Sequence, residues 1–463
     1  MAERPQIEEG ITIMYDTVPA QAGFAALAAA WLDGTADPVS RDRLAAGGLD
    51  LRVEDRTDAQ GYAAWLQVAA RGFLDGERTQ EQVDAAFERS GYRRRSAVYD
   101  PAAAMPEAPV ATIASWIGGL TVPGGRAVPS CAVSAVTVSP THRRRGIARA
   151  LLEGELRAAA AAGVPLAMLT VSESTLYGRY GFAPAALSAS WRIDTKRARW
   201  AGPQPEGRVD FVPRARLREL APALHERVRL SRPGEIDVPA GHWDGMAGTL
   251  PGAKDPGRTR AIQYADAGGE VRGVALYSVH GNDDDFTKAS VTIGYLLAET
   301  DDAYAALWRF FVEMDLVAQV RADEQSVDEP LRWMIDDQRA AVVTIADHQY
   351  VRVLDVPAAL TARSYGAPGT LALQVEDPLG IAGGEFLIEV DAQGAAEVHA
   401  GTAGDARAGA VPVALGIAEL SAMYLGGVSA IALAAAGRIR TPDPAAVARV
   451  FGWHQVPRLS IWY

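Results

Sequence analysis

A single cysteine, Cys131, stands in 463 residues, inside an apolar run. That excludes an intrachain disulfide framework and any thiolate metal centre, so Cys131 reads as a small core residue and a reducing, cytoplasmic setting fits. No metal site is expected. Basic residues are in deficit: 45 Lys and Arg face 57 Asp and Glu, for a formal charge of −12 and a pI near 5.2. Phosphate neutralisation needs a basic face, so a general nucleic-acid binder is excluded. An acidic field instead attracts cations. No basic lead-in precedes the apolar stretch AGFAALAAAWL near the N-terminus, which predicts a surface helix or extension rather than a secretory signal. Residues 420–437, LSAMYLGGVSAIALAAAG, carry no charge, but Gly426-Gly427 splits them and Ser421, Tyr424 and Ser429 interrupt the apolarity. Two short, half-buried helices are predicted there, not a membrane span.

The length predicts about three domains of ~150 residues. After an N-terminal extension over 1–48, residues 49–200 alternate strand and helix patterns. LDLRVEDR, RRRSAVYD, VATIASWIGGLTV, CAVSAVTV and PLAMLTVSE read as strands, and DAQGYAAWLQVAARGFL and RRRGIARALLEGELRAAAAAG as helices, the second of about 20 residues. STLYGRYG is a short helix closed by Gly181. A Pro/Gly-rich joint, AGPQPEGR, opens a second unit over 201–355 in a similar order: strands TRAIQYAD, EVRGVALYSVHG and KASVTIGYLLAE, then a helix from DAYAALWRFFVEMDLV. A third unit, 356–463, has strands GTLALQVEDP, GEFLIEVDA and GAAEVHAG, then helices, and closes on PRLSIWY. Three large apolar side chains at the end of the sequence predict a buried tail. The fold class is α/β with an α+β C-terminal module.

Residues 136–149, VTVSPTHRRRGIAR, place three arginines and a glycine between a strand and a helix. Pro140 ends the strand, and Arg143 to Gly146 fall at the helix start, where backbone N–H groups lack partners and the dipole is positive. Cations there oppose the macrodipole, and a bound pyrophosphate offsets that cost. The bland alternative is a solvated helix end. In the second unit AETDDAYAAL puts acids where these arginines stand, so a duplicated unit there has lost the anion site.

Arg143-Arg144-Arg145-Gly146-Ile147-Ala148 resembles the coenzyme A signature R/Q-x-x-G-x-G/A of the GCN5-related N-acetyltransferase (GNAT) superfamily. With SESTLYGRYGFAP at 172–184, a second GNAT-like unit without the arginine turn and a sterol-carrier-like module with an aromatic end, nearly the whole chain resembles the enhanced intracellular survival (Eis) family of aminoglycoside and amine acetyltransferases. The resemblance implies tandem GNAT domains, acetyl-CoA as acyl donor, a small-molecule amine as acceptor and a homohexamer. It further implies that Val136, Thr137 and Val138 offer backbone groups to the pantetheine arm. Arg144, Arg145, Gly146, Ile147, Ala148 and Arg149 wrap the pyrophosphate with Arg143 beside them, and Ser172 and Glu173 flank the thioester. Tyr177 matches the family's general acid and the α-carboxylate of Tyr463 its base. Where a family member ends in phenylalanine, this chain ends in tyrosine.

A phenol of pKa about 10 protonates a thiolate of about 8.5 at a cost of only ~2 kcal/mol. A carboxylate near 3.5 is about 7 units short of an alkyl ammonium, ~9 kcal/mol, so Tyr463 is expected to draw in the ammonium and take its proton through water. His142 reads as solvated. The acidic loops GNDDDFTK (281–288) and ETDD (299–302) are solvated loops or an amine site, and Trp116, Trp462 and Tyr463 are candidates to stack on a cationic amine. Competing readings are a lipid-binding or regulatory protein with a silent acetyltransferase unit, and a protein lysine acetyltransferase.

Overall fold

The computed structural model describes residues 19–463 except 254–256 and 402–408. Most of the expected extension's first half lies outside the described residues. The remainder forms α1 (Pro19–Leu32) and α2 (Pro38–Ala45), the latter capped by Asp37, whose carboxylate accepts from Ser40 N–H. The first unit continues with β1 (Asp50–Val53), α3 (Ala59–Gly72), α4 (Gln80–Arg89), β2 (Arg94–Tyr99), β3 (Ala111–Val122), β4 (Arg126–Val138), α5 (Ile147–Ala161), β5 (Leu166–Thr170), the short α6 (Ser174–Tyr177) and β6 (Ala183–Asp194). Asp58 caps α3, and a Thr79–Gln82 capping box starts α4, which the apolar periodicity alone had not marked.

The second unit comprises β7 (Arg208–Val212), α7 (Arg214–Arg229), α8 (Ala240–Met246), β8 (Thr259–Ala265), β9 (Val271–His280), β10 (Ala289–Ala298), α9 (Asp301–Val312), β11 (Val317–Gln325) and β12 (Ala341–Val353). The third has α10 (Val356–Ala362), β13 (Gly369–Glu376), β14 (Gly384–Val390), β15 (Ala396–Ala400), β16 (Val411–Gly416), α11 (Ile417–Met423), α12 (Ala430–Ala435), β17 (Ile439–Arg440) and α13 (Pro444–Phe451). Its five strands form a separate sheet in the order β15-β14-β13-β16-β17. As expected, 420–437 holds a helix break: α11 stops, Gly426 adopts φ +85°, and α12 follows. Among the described residues, no helix is long and apolar enough to cross a membrane.

The expected α/β architecture with an α+β module is present, but the first two units share one sheet. Twelve strands run β1-β2-β3-β4-β5-β12-β6-β11-β10-β9-β8-β7. β12, from the second unit, lies between β5 and β6 of the first, and β6 lies between β12 and β11. Each half thus lends a strand to the other, and the joint at 201–208 interrupts the chain without interrupting the sheet. The sequence patterns predict neither β12 nor β11; the exposed half of β12, including Val342 and Ile345, lacks a clean inside–outside alternation.

α5 is fastened to the sheet by a buried ion pair. Arg94 of β2 donates twice to Glu155 at 2.7 and 2.6 Å, and Ser115 of β3 also donates to Glu155. Buried charges persist only when paired and hydrogen-bonded, so these contacts specify where α5 sits.

Candidate active site

β4 and β5 pair in parallel only from Ser130↔Leu166 to Ala132↔Met168. Beyond that point the strands part. β4 carries a bulge, seen as a register shift against β3 between Thr112 and Ala114 and as Ala135 at φ +52°. Thr112 holds it by donating to Ala135 O at 2.9 Å and sharing a 2.8 Å hydroxyl contact with Thr137. Thr137 and Val138 therefore pair with β3 on one side, Val136 lies in the bulge beside them, and the far edge of this segment faces the gap, unpaired by any strand among the described residues. Such an edge accepts an extended amide-bearing ligand as an added strand.

The arginine turn differs in detail from the sequence reading. Pro140–His142 form a 3₁₀ turn, Arg143 is extended, Arg144 has φ +62° and Gly146 φ +76°, so α5 begins only at Ile147 and has 15 residues. Gly146 serves chiefly its left-handed φ; a Cβ there would meet only Arg43 Nη2, at 3.5 Å. No side chain caps α5, which leaves the first N–H groups of Ile147, Ala148 and Arg149 facing the turn. The arginines divide. Arg145 donates to Asp100 and to Gly47 O at 3.1 Å each, and Arg149 donates to Glu153 at 2.5 Å. Arg143 and Arg144 are exposed and have no ion-pair partner among the described residues. His142 is not simply solvated, because its Nε2 contacts Asp100 at 3.1 Å. Arg43 of α2, within reach of Gly146, is a cation that the sequence reading missed.

Ser172 and Glu173 are exposed just past β5, and Tyr177 ends α6 half-buried, edge-on to Phe182 at 6.2 Å. Its hydroxyl makes no hydrogen bond among the described residues. Burial, then the nearby Glu173 carboxylate, raises the phenol's pKa above 10, which keeps it protonated.

The tail threads between the two acetyltransferase-like units. Ser460 donates from N and Oγ to Glu235 at 3.2 and 3.0 Å, His348 Nε2 donates to Ile461 O at 3.0 Å, and Thr170 Oγ1 donates to Tyr463 O at 2.7 Å. Thr170, at the end of β5 two residues before Ser172, carries no motif signal of its own. The Tyr463 ring meets Trp116 edge-on at 5.3 Å. Ile461 is buried as expected, but Trp462 is 49% exposed because it lines a cavity.

That cavity, about 530 Å³, lies between α3, α4, α8, β11 and the tail. Arg93 sits 5.3 Å over the face of Trp116, so the tryptophan is already engaged and is not free to stack on a substrate amine. Neither acidic loop lines the cavity. Asp285 is consumed by Thr287 and Lys288, and Glu299 by Arg227 and Arg272. Cys131 is buried in the core, and burial pushes its thiol up. No metal-ligating cluster occurs among the described residues.

A splayed β4–β5 pair opening onto a glycine turn and an uncapped helix defines a GNAT-type acyltransferase, here in tandem with a third module. The comparisons agree: acetyltransferase (GNAT) domain models match residues 56–185 and 234–353, and a sterol carrier protein domain model matches 356–460. An N-acetyltransferase of Streptomyces avermitilis is 36% identical over 402 residues, covering 84% of this chain and 93% of the relative. The N-acetyltransferase Eis of Mycobacterium tuberculosis is 33% identical over 342 residues, 70% of this chain and 77% of the relative. The crystal structure of Eis1 from Mycobacterium abscessus superposes with a TM-score of 0.74 at 25% identity, covering 89% of this chain and 100% of that one. The chain belongs to the Eis family of N-acetyltransferases and is an enzyme that uses acetyl-CoA.

Proposed function

We propose that this enzyme acetylates a primary amine of a small molecule, with the first unit, 49–200, as the catalytic one, the second, 201–355, degenerate, and the third, 356–463, supplying the tail. The free edge of β4 leading into the uncapped α5 is the observation that carries this reading: Val136 to Val138 suit the pantetheine amides, and the N–H groups after Gly146, with Arg143 and Arg144, suit the pyrophosphate. Arg145 and Arg149 belong to the same wrap, held in place by Asp100 and Glu153. In the second unit, Asp301 and Asp302 occupy the first turn of α9, where acids satisfy the dipole and repel phosphate.

The amine nitrogen attacks the thioester carbonyl, the C–N bond forms as the C–S bond breaks, and Tyr177 O–H protonates the departing sulfur. Ser172 and Glu173 flank the thioester. The amine's surplus proton passes through water to the main-chain carboxylate of Tyr463, which Thr170 positions. Family resemblance alone makes the aminoglycoside or polyamine class the first acceptor to test and protein lysine the second, and a homohexamer in the cytoplasm is the proposed state.

The test is the rate of CoA-thiol release from acetyl-CoA across aminoglycosides, alkyl diamines and lysine peptides, against a no-amine control. Turnover above that control supports the reading. A folded protein that binds acetyl-CoA and turns over no amine would favour the ligand-binding or regulatory role.

A further inference from the structure

The charges that line the 530 Å³ cavity are not those of a site for a polycation. Four titratable or charged side chains beyond its tyrosines face it: Arg89, Arg93, His242 and Glu324. Arg89 is spent, since it donates to Ala85 O at 2.8 Å and pairs with Asp244 at 3.4 Å. His242 is half-buried, and burial together with the Arg93 charge lowers its pKa to about 4, so it is neutral at physiological pH. Two charges are left.

Arg93 forms no ion pair or side-chain hydrogen bond among the described residues, and its Nε is buried without a partner. Its guanidinium lies 5.1 Å over Tyr92 and 5.3 Å over Trp116, which fixes the plane of the fork while leaving its donors unused. Glu324 is equally unpaired. It sits where β11 shifts register between Ala322 and Gln325, at φ +57°, a conformation that non-glycine residues seldom adopt. Regular pairing would turn this side chain with its neighbours; the irregularity sends it to the cavity instead. The groups facing it are Asp323 and Glu235, which repel it, and Arg458, which is shared with Glu235 at 3.9 Å and Glu329 at 3.7 Å.

An unpaired carboxylate and an unpaired guanidinium lining one cavity are each costly unless a ligand completes them. The cavity is also next to the proposed chemistry: Trp116, under Arg93, touches the ring of Tyr463. We infer that the acceptor is a zwitterionic amine, with Glu324 receiving an ammonium group and Arg93 a carboxylate or comparable anion of the same molecule. A purely cationic polyamine leaves Arg93 unsatisfied and is repelled by it. The inference rests on the acetyltransferase reading for turnover, but not for binding.

The experiment compares 6-aminohexanoate with 6-aminohexanamide, and L-lysine with L-lysinamide, with spermidine as the polycation, in wild type, Arg93→Gln and Glu324→Gln. Calorimetric binding to the full-length protein and thiol release from acetyl-CoA are both read. The carboxylate-bearing member of each pair is expected to be favoured about tenfold or more, as a charge-assisted hydrogen bond allows. Arg93→Gln should abolish that preference while sparing the carboxamides, and Glu324→Gln should weaken both members alike. A binding preference without turnover would uphold the inference and count against the acetyltransferase reading. No preference in wild type, equal losses for both members in Arg93→Gln, or spermidine outperforming both pairs in wild type would overturn the inference while leaving acetyl transfer in place.

Discussion

Thr170 and Tyr463 stand 293 positions apart, yet the threonine hydroxyl donates to the main-chain oxygen of the tyrosine at 2.7 Å. The strand that leads to Tyr177 is thereby tied to the tail that crosses from the third module. Thr170→Val keeps the side-chain shape and removes the donor. It should cost about 1 kcal/mol of stability and lower kcat several-fold, with Thr170→Ser restoring both. Steady-state kinetics beside a thermal melt check this; a valine variant with unchanged kcat would remove Thr170 from the proposed positioning role.

Tyr177→Phe should fold as well as wild type, because the hydroxyl has no hydrogen bond to lose. Its kcat should fall by about 10²–10⁴, the usual worth of a general acid. Because burial and then Glu173 raise the phenol's pKa, the alkaline limb of the wild-type kcat profile should fall at a higher pH than an unperturbed phenol would set, as far as this group is concerned. Glu173→Gln removes the second cause and should bring that limb toward lower pH.

The two classes of arginine in the turn should separate. Arg144→Gln should raise the KM for acetyl-CoA by about tenfold to a hundredfold, the worth of a charge-assisted hydrogen bond, and the effect should shrink in high salt. Arg145→Gln removes a bridge to Asp100 and Gly47, so it should lower the melting temperature and raise that KM less. Equal kinetic effects with no change in melting would count against the division.

Glu324 has its pKa raised to about 7, first by burial and then by Asp323. Its folded value lies above the ordinary carboxylate value, so its contribution to stability is fully present below about pH 4.5 and is lost as pH rises through 7. Glu324→Gln should remove this slope and be the more stable protein at pH 8. In the wild type, amine binding should weaken below pH 7 as the carboxylate protonates. Chemical denaturation and calorimetry at pH 5 and pH 8 read both effects.

Tyr463 Oη is buried facing the Gln349 amide, in a contact that falls short of good hydrogen-bond geometry. Tyr463→Phe therefore removes an unsatisfied group and should be neutral or stabilising by about 1–2 kcal/mol. Turnover should persist, since the contact with Thr170 is made by the main chain. A large loss of activity would assign the hydroxyl a role of its own.

The sequence by itself determined the glycine turn before α5, the acids that stand in its place at the start of α9, the helix break at Gly426 and the three-module α/β order. Each is local: Pro140, Gly146 and the acids after KASVTIGYLLAE act through their own dihedrals and the nearest helix end. Tyr177 and the tail were legible through resemblance. Only the tertiary structure decided that β6 and β12 exchange between units to make one sheet, because strand pairing is chosen by non-local complementarity and leaves no periodic trace. It likewise decided which arginines are free. Arg143 and Arg145 read alike in sequence, but Asp100, brought up by the β2–β3 connection, claims one and not the other. Arg93, in a run of three whose other members are buried in the core, and Glu324, on an unanticipated strand, acquire meaning only from the cavity they share, since a charge is unpaired only with respect to what folding places around it.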